Sequence, residues 1–501
     1  MVGIFLYKIF SNFVRAFINS CCCVKITIKG GIEMDDFLRE IQTSLFREWI
    51  NNQKRDYYHL HQSETDPDAI IIENEYCYSY VTFNPQCIIE LCVMNKRTDE
   101  MAFYLHFQFK TLKHAISLFE EMDQCIKKMI DQPMCRLLLC CSGGMTTAFF
   151  ADKIKNGIKV LNLNMEVAAT SYQKIYNVAQ NYDVILLAPQ VSYVKLQVEK
   201  VFKNKLVLKI PTQIFASYNV GALITFVEES LKYKENKYNS YVEPLASMMK
   251  IKTNKNILAV SINANGENSH ISYRLYNAHQ DIVLDSNIIK SNIKLQDVLD
   301  ALDTVVLQNE MIDVISIALP GVMVEGNVYS GIIEGGNHQL KELLEKRYEK
   351  EIYLINDVNA AVVGYYASQN EYKSLAFLFQ PIGRMAGSGI IVNGQLVRGM
   401  DHLAGEVALL PLKLSDSYLN LANTPEGTLE LVTKNIMSII AIVAPEAIVV
   451  YSDLILDSQD VSDKIKKSLS QYSLKVYPKI IKVENILEYI LLGAMILSAK
   501  E

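Results

Sequence analysis

Residues Leu137 to Cys141 form an apolar run that passes straight into Ser142-Gly143-Gly144-Met145-Thr146-Thr147, and a helical stretch follows from Ala148. A strand that ends in a small-residue loop and resumes as a helix is the start of an α/β unit. The loop N–H groups and the positive end of the helix point at whatever sits on Cys141. The same field favours the thiolate, so Cys141 is expected to titrate low and to be nucleophilic. A thiolate inside an anion cradle suits covalent handling of phosphate. The plainer alternative is two buried thiols at a strand end. Cys140 continues the apolar pattern and is read as core.

The loop Cys141–Thr147 resembles the phosphocysteine loop of the lactose/cellobiose-type IIB component of the bacterial sugar phosphotransferase system. Asp183-Val-Ile-Leu-Leu-Ala-Pro-Gln-Val-Ser-Tyr193 is similar to that family's second buried strand and the Pro-Gln-Val turn after it. The resemblance covers about 134–232. The expected alternation is strand 136–141, helix 145–155, strand 158–163, helix 169–179, strand 183–188, helix 193–202, strand 205–209 and helix 217–231. It implies that Cys141 takes a phosphoryl group from a histidine of a IIA protein and passes it to a sugar held by a membrane IIC permease. Ser142, Gly143, Gly144, Met145, Thr146 and Thr147 would then hold the phosphoryl group.

A chain of 501 residues is too long for one ordinary core and suggests about three domains. Half its residues are hydrophobic and 21% are charged, a folded composition, and the net charge of −6 gives no electrostatic reason to expect nucleic acid. The ten cysteines show no Cys-x-x-Cys pair and no disulfide framework, which fits a reducing cytoplasm. No metal is expected.

Met1 to Ile18 is apolar and basic, but Lys8, Asn12 and Arg15 break the run before it could span a bilayer. Lys29-Gly30-Gly31 can be encoded as AAA-GGA-GG, a ribosome-binding sequence ahead of Met34. The expectation is that translation starts at Met34 and that 1–33 is a mis-assigned leader. The alternative is a membrane-surface amphipathic helix.

Residues 34–133 read as helix (35–53), three β-rich runs (69–83, 87–95 and 101–110) and helix (112–129), a small α+β unit whose default role is packing or docking. It shows no helix-turn-helix signature and no basic stripe. His59 and His61 are read as surface residues. The polar, Pro-containing stretch 233–255 is read as a linker.

In 256–501 a strand-rich opening followed by helix and strand occurs twice. Ala318-Leu-Pro-Gly-Val322, Asn356-Asp357-Val358-Asn359-Ala360-Ala361, Gly387–Gly399, Ala404-Gly405-Glu406, Ala444–Val450 and Leu492–Ala499 together resemble the ROK family of sugar kinases and sugar-responsive repressors. The resemblance implies a two-lobed actin-like ATPase fold. It places the proton-accepting carboxylate on Asp357 and sugar-hydroxyl contacts on Asn356 and Glu406. The plainer reading of Asp357 is an N-cap for a helix at 358–367. ROK proteins often associate as dimers, so a homodimer is carried as an expectation.

The phosphate end departs from the family. Where an Asp-x-Gly-Gly-Thr run belongs, Ser261-Ile-Asn-Ala-Asn-Gly266 has no acid and one glycine. Where a Gly-Thr-Gly run belongs, Gly383-Arg384-Met385 puts long side chains where phosphate must approach backbone amides. The family's Gly-His after Ala-Gly-Glu is Ala408-Leu409, and its zinc-binding cysteines are missing. ATP and magnesium are therefore not expected, and kinase activity is expected to be lost. The apolar run 436–443 meets Pro445-Glu446 and the chain then reads as a buried strand, so no membrane span is expected.

The fold class expected is α/β: a small α+β unit, a four-stranded mainly parallel IIB domain, and a two-lobed actin-like domain. The leading functional reading is a IIB phosphocarrier with a non-catalytic ROK-like sugar-sensing domain. The alternatives are a soluble sugar-responsive regulator acting through a protein partner, and an active ROK kinase fused to IIB.

Overall fold

The computed structural model describes residues 36–501 apart from 54, 97–99, 132–134, 144, 162, 204, 233–252, 266–267, 325–326, 401–402, 456, 471–476 and 501. The stretch 1–33 expected to be a mis-assigned leader, and most of the stretch 233–255 expected to be a linker, lie outside the described residues.

The N-terminal strands form an antiparallel meander, β1 (His59–Gln62), β2 (Ala69–Glu73), β3 (Cys77–Asn84), β4 (Ile88–Asn95) and β5 (Glu100–Gln108). The run 69–83, expected as one strand, breaks at Asn74, whose Oδ1 accepts the Tyr76 and Cys77 N–H groups. His59 and His61 are exposed on β1, as expected. Helices Asp36–Asn51 and Leu112–Asp131 cover one face through Phe46, Trp49 and Phe119, which meet Phe109 just after β5, with Trp49 edge-on to Phe119 at 5.5 Å.

This meander does not close on itself. β5 pairs antiparallel with β12 (Ile282–Lys290) through Tyr104 and Ile289, joining it to the sheet of the C-terminal half. The ten-stranded order is β1-β2-β3-β4-β5-β12-β11-β10-β13-β17, with β10 (Ile257–Asn265), β11 (Asn268–Tyr276), β13 (Val314–Leu319) and β17 (Glu351–Asn356), while the short β14 (Val322–Val324), β15 (Asn327–Tyr329) and β16 (Asn337–His338) form a sheet of their own. One hydrophobic cluster runs through both parts, from Phe46, Ile89 and Phe107 to Ile271, Val298 and Ile317. At the seam, Lys110 Nζ lies 2.6 Å from Asp300 Oδ1 and 2.6 Å from Asp303 Oδ2, and His114 Nε2 lies 2.9 Å from Asp300 Oδ2. Tyr273 Oη and His106 Nε2 share a hydrogen bond of 2.9 Å nearby.

The segment between is an inserted domain with an all-parallel sheet, order β7-β6-β8-β9: β6 (Cys135–Cys141), β7 (Met165–Ser171), β8 (Val184–Leu187) and β9 (Leu206–Lys209). Central β6 and β8 are buried on both faces, as continuous apolar runs should be. Two expectations here are corrected. The strand placed at 158–163 is the end of helix Met145–Val160, with Val160 84% exposed, and the strand comes later, at 165–171. The helix placed at 169–179 is instead the end of β7 followed by short turns of helix at 172–181.

The second lobe repeats the first lobe's core topology in the order β20-β19-β18-β21-β22: β18 (Leu375–Phe379), β19 (Gly387–Val392), β20 (Gln395–Leu396), β21 (Ala447–Tyr451) and β22 (Lys479–Lys482). In each lobe three antiparallel strands are followed by two parallel ones, the actin-like pattern. Helices Asp357–Ala367 and Ile486–Lys500 cross between the lobes at Gly364 and Gly493. A Cβ on Gly493 would sit 1.8 Å from the Ala360 carbonyl oxygen, so only glycine permits this approach. Buried Arg274 adds a bidentate pair to Glu488, at 2.9 and 3.0 Å.

The inserted domain leans on the second lobe. Leu454 belongs to its hydrophobic cluster and Ile382 packs against that cluster. Tyr172 Oη donates to Glu426 Oε1 at 3.3 Å, and Lys203 Nζ donates to Glu484 Oε2 at 3.3 Å. No helix among the described residues is long and apolar enough to cross a membrane.

Candidate functional sites

Cys141 is the last residue of β6, and strand order places it at a topological switch point: the chain goes to β7 on one side and to β8 on the other. Ligands of open parallel sheets bind at the carboxyl ends of strands at such points. Cys141 is 4% exposed, but Ser142 and Gly143 beside it are exposed, and the Cβ direction of Gly143 opens to free space. The helix Met145–Val160 begins four residues on, so its positive end faces the loop. Gly144, and the side chains of Met145, Thr146 and Thr147, lie outside the described residues.

Cys140 behaves as the core residue expected. Its side chain is fully buried, and burial, with Cys141 adding a little, pushes its thiol up to about 12. Its carbonyl accepts the Ala188 N–H at 2.9 Å, holding the turn Pro189–Val194 beside the cysteine loop. That turn exposes Gln190 and Tyr193 around buried Val191. Cys141 also pairs in register with Ser171, so Tyr172 borders the loop. Sequence reasoning missed Ser171 and Tyr172 because it set β7 seven residues too early.

The second site lies between the lobes. Asn356, not Asp357, caps the helix Asp357–Ala367: its Oδ1 accepts the Val358 and Asn359 N–H groups, both at 3.1 Å. The N-cap reading of Asp357 is therefore corrected. Asn356 also donates to the Gly321 carbonyl at 3.4 Å, which ties the Leu-Pro-Gly turn to this helix. Asp357 is buried, and one carboxylate oxygen accepts the Val358 N–H at 2.9 Å. Burial raises its pKa to about 6 against that hydrogen bond, and the like charge of Glu406 adds to the rise. Glu406, half-buried, is also raised by desolvation. The structure thus brings Asp357 and Glu406 into one electrostatic neighbourhood. Asn359 Oδ1, buried two residues on, makes no hydrogen bond among the described residues. Gly405 adopts φ +93°, and a Cβ there would lie 1.8 Å from the Ser388 carbonyl oxygen, so glycine pins the Glu406 loop onto β19.

The residues at the expected nucleotide end do not fit a nucleoside triphosphate. In the loop after β18 the Gly383 N–H is spent on Ala422 O (3.0 Å) and the Ala386 N–H on Tyr418 Oη (3.2 Å). Fully buried Gln380 donates to Pro381 O and Arg384 O, both at 2.9 Å, and accepts from Tyr418 at 2.8 Å. Arg384 and Met385 are exposed where phosphate would need bare backbone. β10 carries no carboxylate between 257 and 265. No group of three or more His, Cys, Asp or Glu side chains among the described residues could hold a metal ion.

Fold and sites together define a two-lobed actin-like domain with an inserted parallel α/β domain that holds a thiol at its switch point. The family model "PTS system, Lactose/Cellobiose specific IIB subunit" matches residues 136–224, and the "ROK family" model matches 266–427. The chain joins a IIB domain of the lactose/cellobiose class to a ROK domain. It is 30% identical over 67 residues to the oligo-beta-mannoside-specific EIIB component of the phosphotransferase system of Bacillus subtilis. That match covers 13% of this chain and 65% of the relative's length. Among solved structures, a ROK family protein from Streptococcus pneumoniae TIGR4 in complex with sucrose is 18% identical, covering 48% of this chain and 97% of that one, with a TM-score of 0.40. The ROK hexokinase from Thermus thermophilus is 16% identical over 49% and 99% of the two chains, also with a TM-score of 0.40. The lactose-specific IIB domain from Streptococcus pneumoniae is 23% identical over 19% and 95%, with a TM-score of 0.18.

Proposed function

We propose that this protein is a phosphotransferase-system IIB phosphocarrier. Cys141 accepts a phosphoryl group from a phosphohistidine on a IIA protein and passes it towards a sugar held by a membrane IIC permease, while the ROK domain senses sugar without phosphorylating it. The observation that carries this reading is Cys141 at the switch point of a parallel sheet within the matched IIB segment. The helix start stabilises the incoming charge. Ser142, Gly143, Gly144, Met145, Thr146 and Thr147 would hold the phosphoryl group.

In the ROK cleft, Asp357, Glu406 and the unsatisfied Asn359 Oδ1 offer a desolvated polar surface suited to sugar hydroxyls. Asn356 serves this surface by fixing the helix start. A carboxylate poised near neutrality suits a base, but the internally bonded 380–386 loop favours a sensor over a kinase. No ATP or magnesium is assigned, and no direct nucleic-acid contact. A cytoplasmic location follows from the phosphocarrier role, and a homodimer is consistent with ROK membership. β-Linked oligosaccharides are the first sugars to test, given the Bacillus subtilis relative.

The test is incubation with labelled phosphoenolpyruvate, the general phosphotransferase proteins and a cellobiose-type IIA protein, beside Cys141→Ser. Label in the wild type and none in the variant is expected. No label with several competent donors would leave a IIB fold kept for binding, the regulator reading. ATP binding, measured by calorimetry, would revive the kinase reading.

A further inference from the structure

The carboxyl ends of β18 and β21 open into the crevice where a sheet of this topology takes its ligand. Here that crevice is lined by protein. Ile382, just after β18, and Leu454, three residues after β21, meet the IIB domain's core, and Leu454 is only 2% exposed. Tyr172 and Lys203 of the IIB domain reach Glu426 and Glu484 on its rim. Lys203 also acts on Asp453, the rim carboxyl that burial holds above its usual range, with Lys482 and Lys203 pulling it down.

The seat is charged in a way that couples it to the cysteine loop. Tyr172 follows Ser171, the register partner of Cys141, and donates to Glu426. Burial is the main cause of the raised pKa of Tyr176, but both Glu426 and Cys140 add to it, so the rim carboxylate and the end of β6 act on one phenol. Glu426 lies in the first turn of helix Pro425–Val443. The full charge of its carboxylate exceeds the half-charge of that helix start. Charge added on Cys141 would act on this rim by way of Tyr172, with Glu426 repelling it and Lys203 and Lys482 as the cations set against that repulsion.

Resting on the phosphocysteine reading above, we propose that the crevice of the second lobe is a seat for the chain's own IIB domain, occupied while Cys141 is unmodified and left when Cys141 carries a phosphoryl group. In the loading step the P–N bond of a donor phosphohistidine breaks, a P–S bond forms on the Cys141 thiolate, and the leaving imidazole takes up a proton. The ROK half then reads phosphorylation as exposure of its own crevice.

The test is hydrogen exchange followed by mass spectrometry on the full chain, reading amides 380–386 and 452–455. The states are unmodified protein, protein treated with a phosphohistidine donor (label counted in the same sample), Cys141→Ser, Cys141→Asp and Ser142→Asp. The last keeps Cys141 and places charge on an exposed neighbour. Exchange is expected to quicken roughly three- to tenfold with phosphoryl or Asp, less so at high salt, and to stay put with Ser. Glu426→Gln should abolish the difference. Label on Cys141 with unchanged exchange overturns the proposal. If no label enters but both Asp variants quicken exchange, the charge-gated seat stands and the phosphocysteine reading falls. If neither occurs, both fall.

Discussion

Lys110 Nζ lies 2.6 Å from Asp300 Oδ1, a contact between residues 190 positions apart that fastens the N-terminal meander to the first ROK lobe. Asp300 is buried, and His114 Nε2 and Gln296 Nε2 each reach its carboxylate at 2.9 Å. Burial alone would raise its carboxyl, but the hydrogen bond from His114 and the charge of Lys110 outweigh burial and hold it below the ordinary carboxylate range. Asp300→Ala should lower the unfolding free energy by about 3 kcal/mol at neutral pH, and Lys110→Ala by less, because His114 remains. A depressed carboxyl stabilises above its unfolded pKa and loses that contribution as pH falls through the folded one. The Asp300→Ala penalty should therefore shrink below about pH 4, which denaturant titration against pH would show.

The shared core predicts which pieces fold. A chain in which 36–131 is joined by a short linker to 255–501, without the IIB domain, should retain a cooperative thermal transition. A chain lacking 36–131 should not, because it bares the β12 edge and the apolar face shared with Phe107 and Ile126. Calorimetry on the two deletions decides this, and a cooperative second deletion would contradict the shared core.

Asp357 carries the opposite sign to Asp300. Its folded pKa, about 6, is above the ordinary carboxylate value, so its contribution is full at low pH and is lost as pH rises through 6. Asp357→Asn should be near neutral at pH 4 and should stabilise at pH 8 by on the order of 2–3 kcal/mol. Sugar binding, if Asp357 serves it, should weaken in the same variant.

The lobe crossing should resist even one methyl. Gly493→Ala puts a Cβ 1.8 Å from Ala360 O, and Gly364→Ala puts one 2.0 Å from Tyr489 O. Each should cost about 3 kcal/mol in chemical denaturation of the ROK half. Gly221→Ala, in helix Val220–Lys232 with nothing nearer than 3.8 Å, should instead stabilise the IIB domain by roughly 0.5–1 kcal/mol.

What the sequence revealed was local. The run 137–147 declares strand, loop and helix through its own residues, and Asn356-Asp357 declares a helix start, although which of the two caps it is settled by which oxygen meets the Val358 and Asn359 amides. β7 is hard to place because it is an edge strand, half exposed, with Glu166, Ala168 and Ala169 diluting its β-branched Val167 and Thr170, while the more apolar stretch Ile158–Val160 is the end of a helix. The pairing of Tyr104 with Ile289 has no local signature, so the meander read as a separate unit. Contacts across such distances are legible only once the sheet is assembled.

That pairing also fixes an order of events during synthesis. The meander leaves the ribosome with β5 paired to β4 on one edge only, and the whole IIB domain follows before β12 appears for the other. The IIB domain can close its parallel sheet as soon as β9 and its last helix, ending at Lys232, emerge, while the outer edge of β5 waits about 50 residues more, until β12 begins at Ile282. The wait leaves an open strand edge that a nascent-chain chaperone could shield.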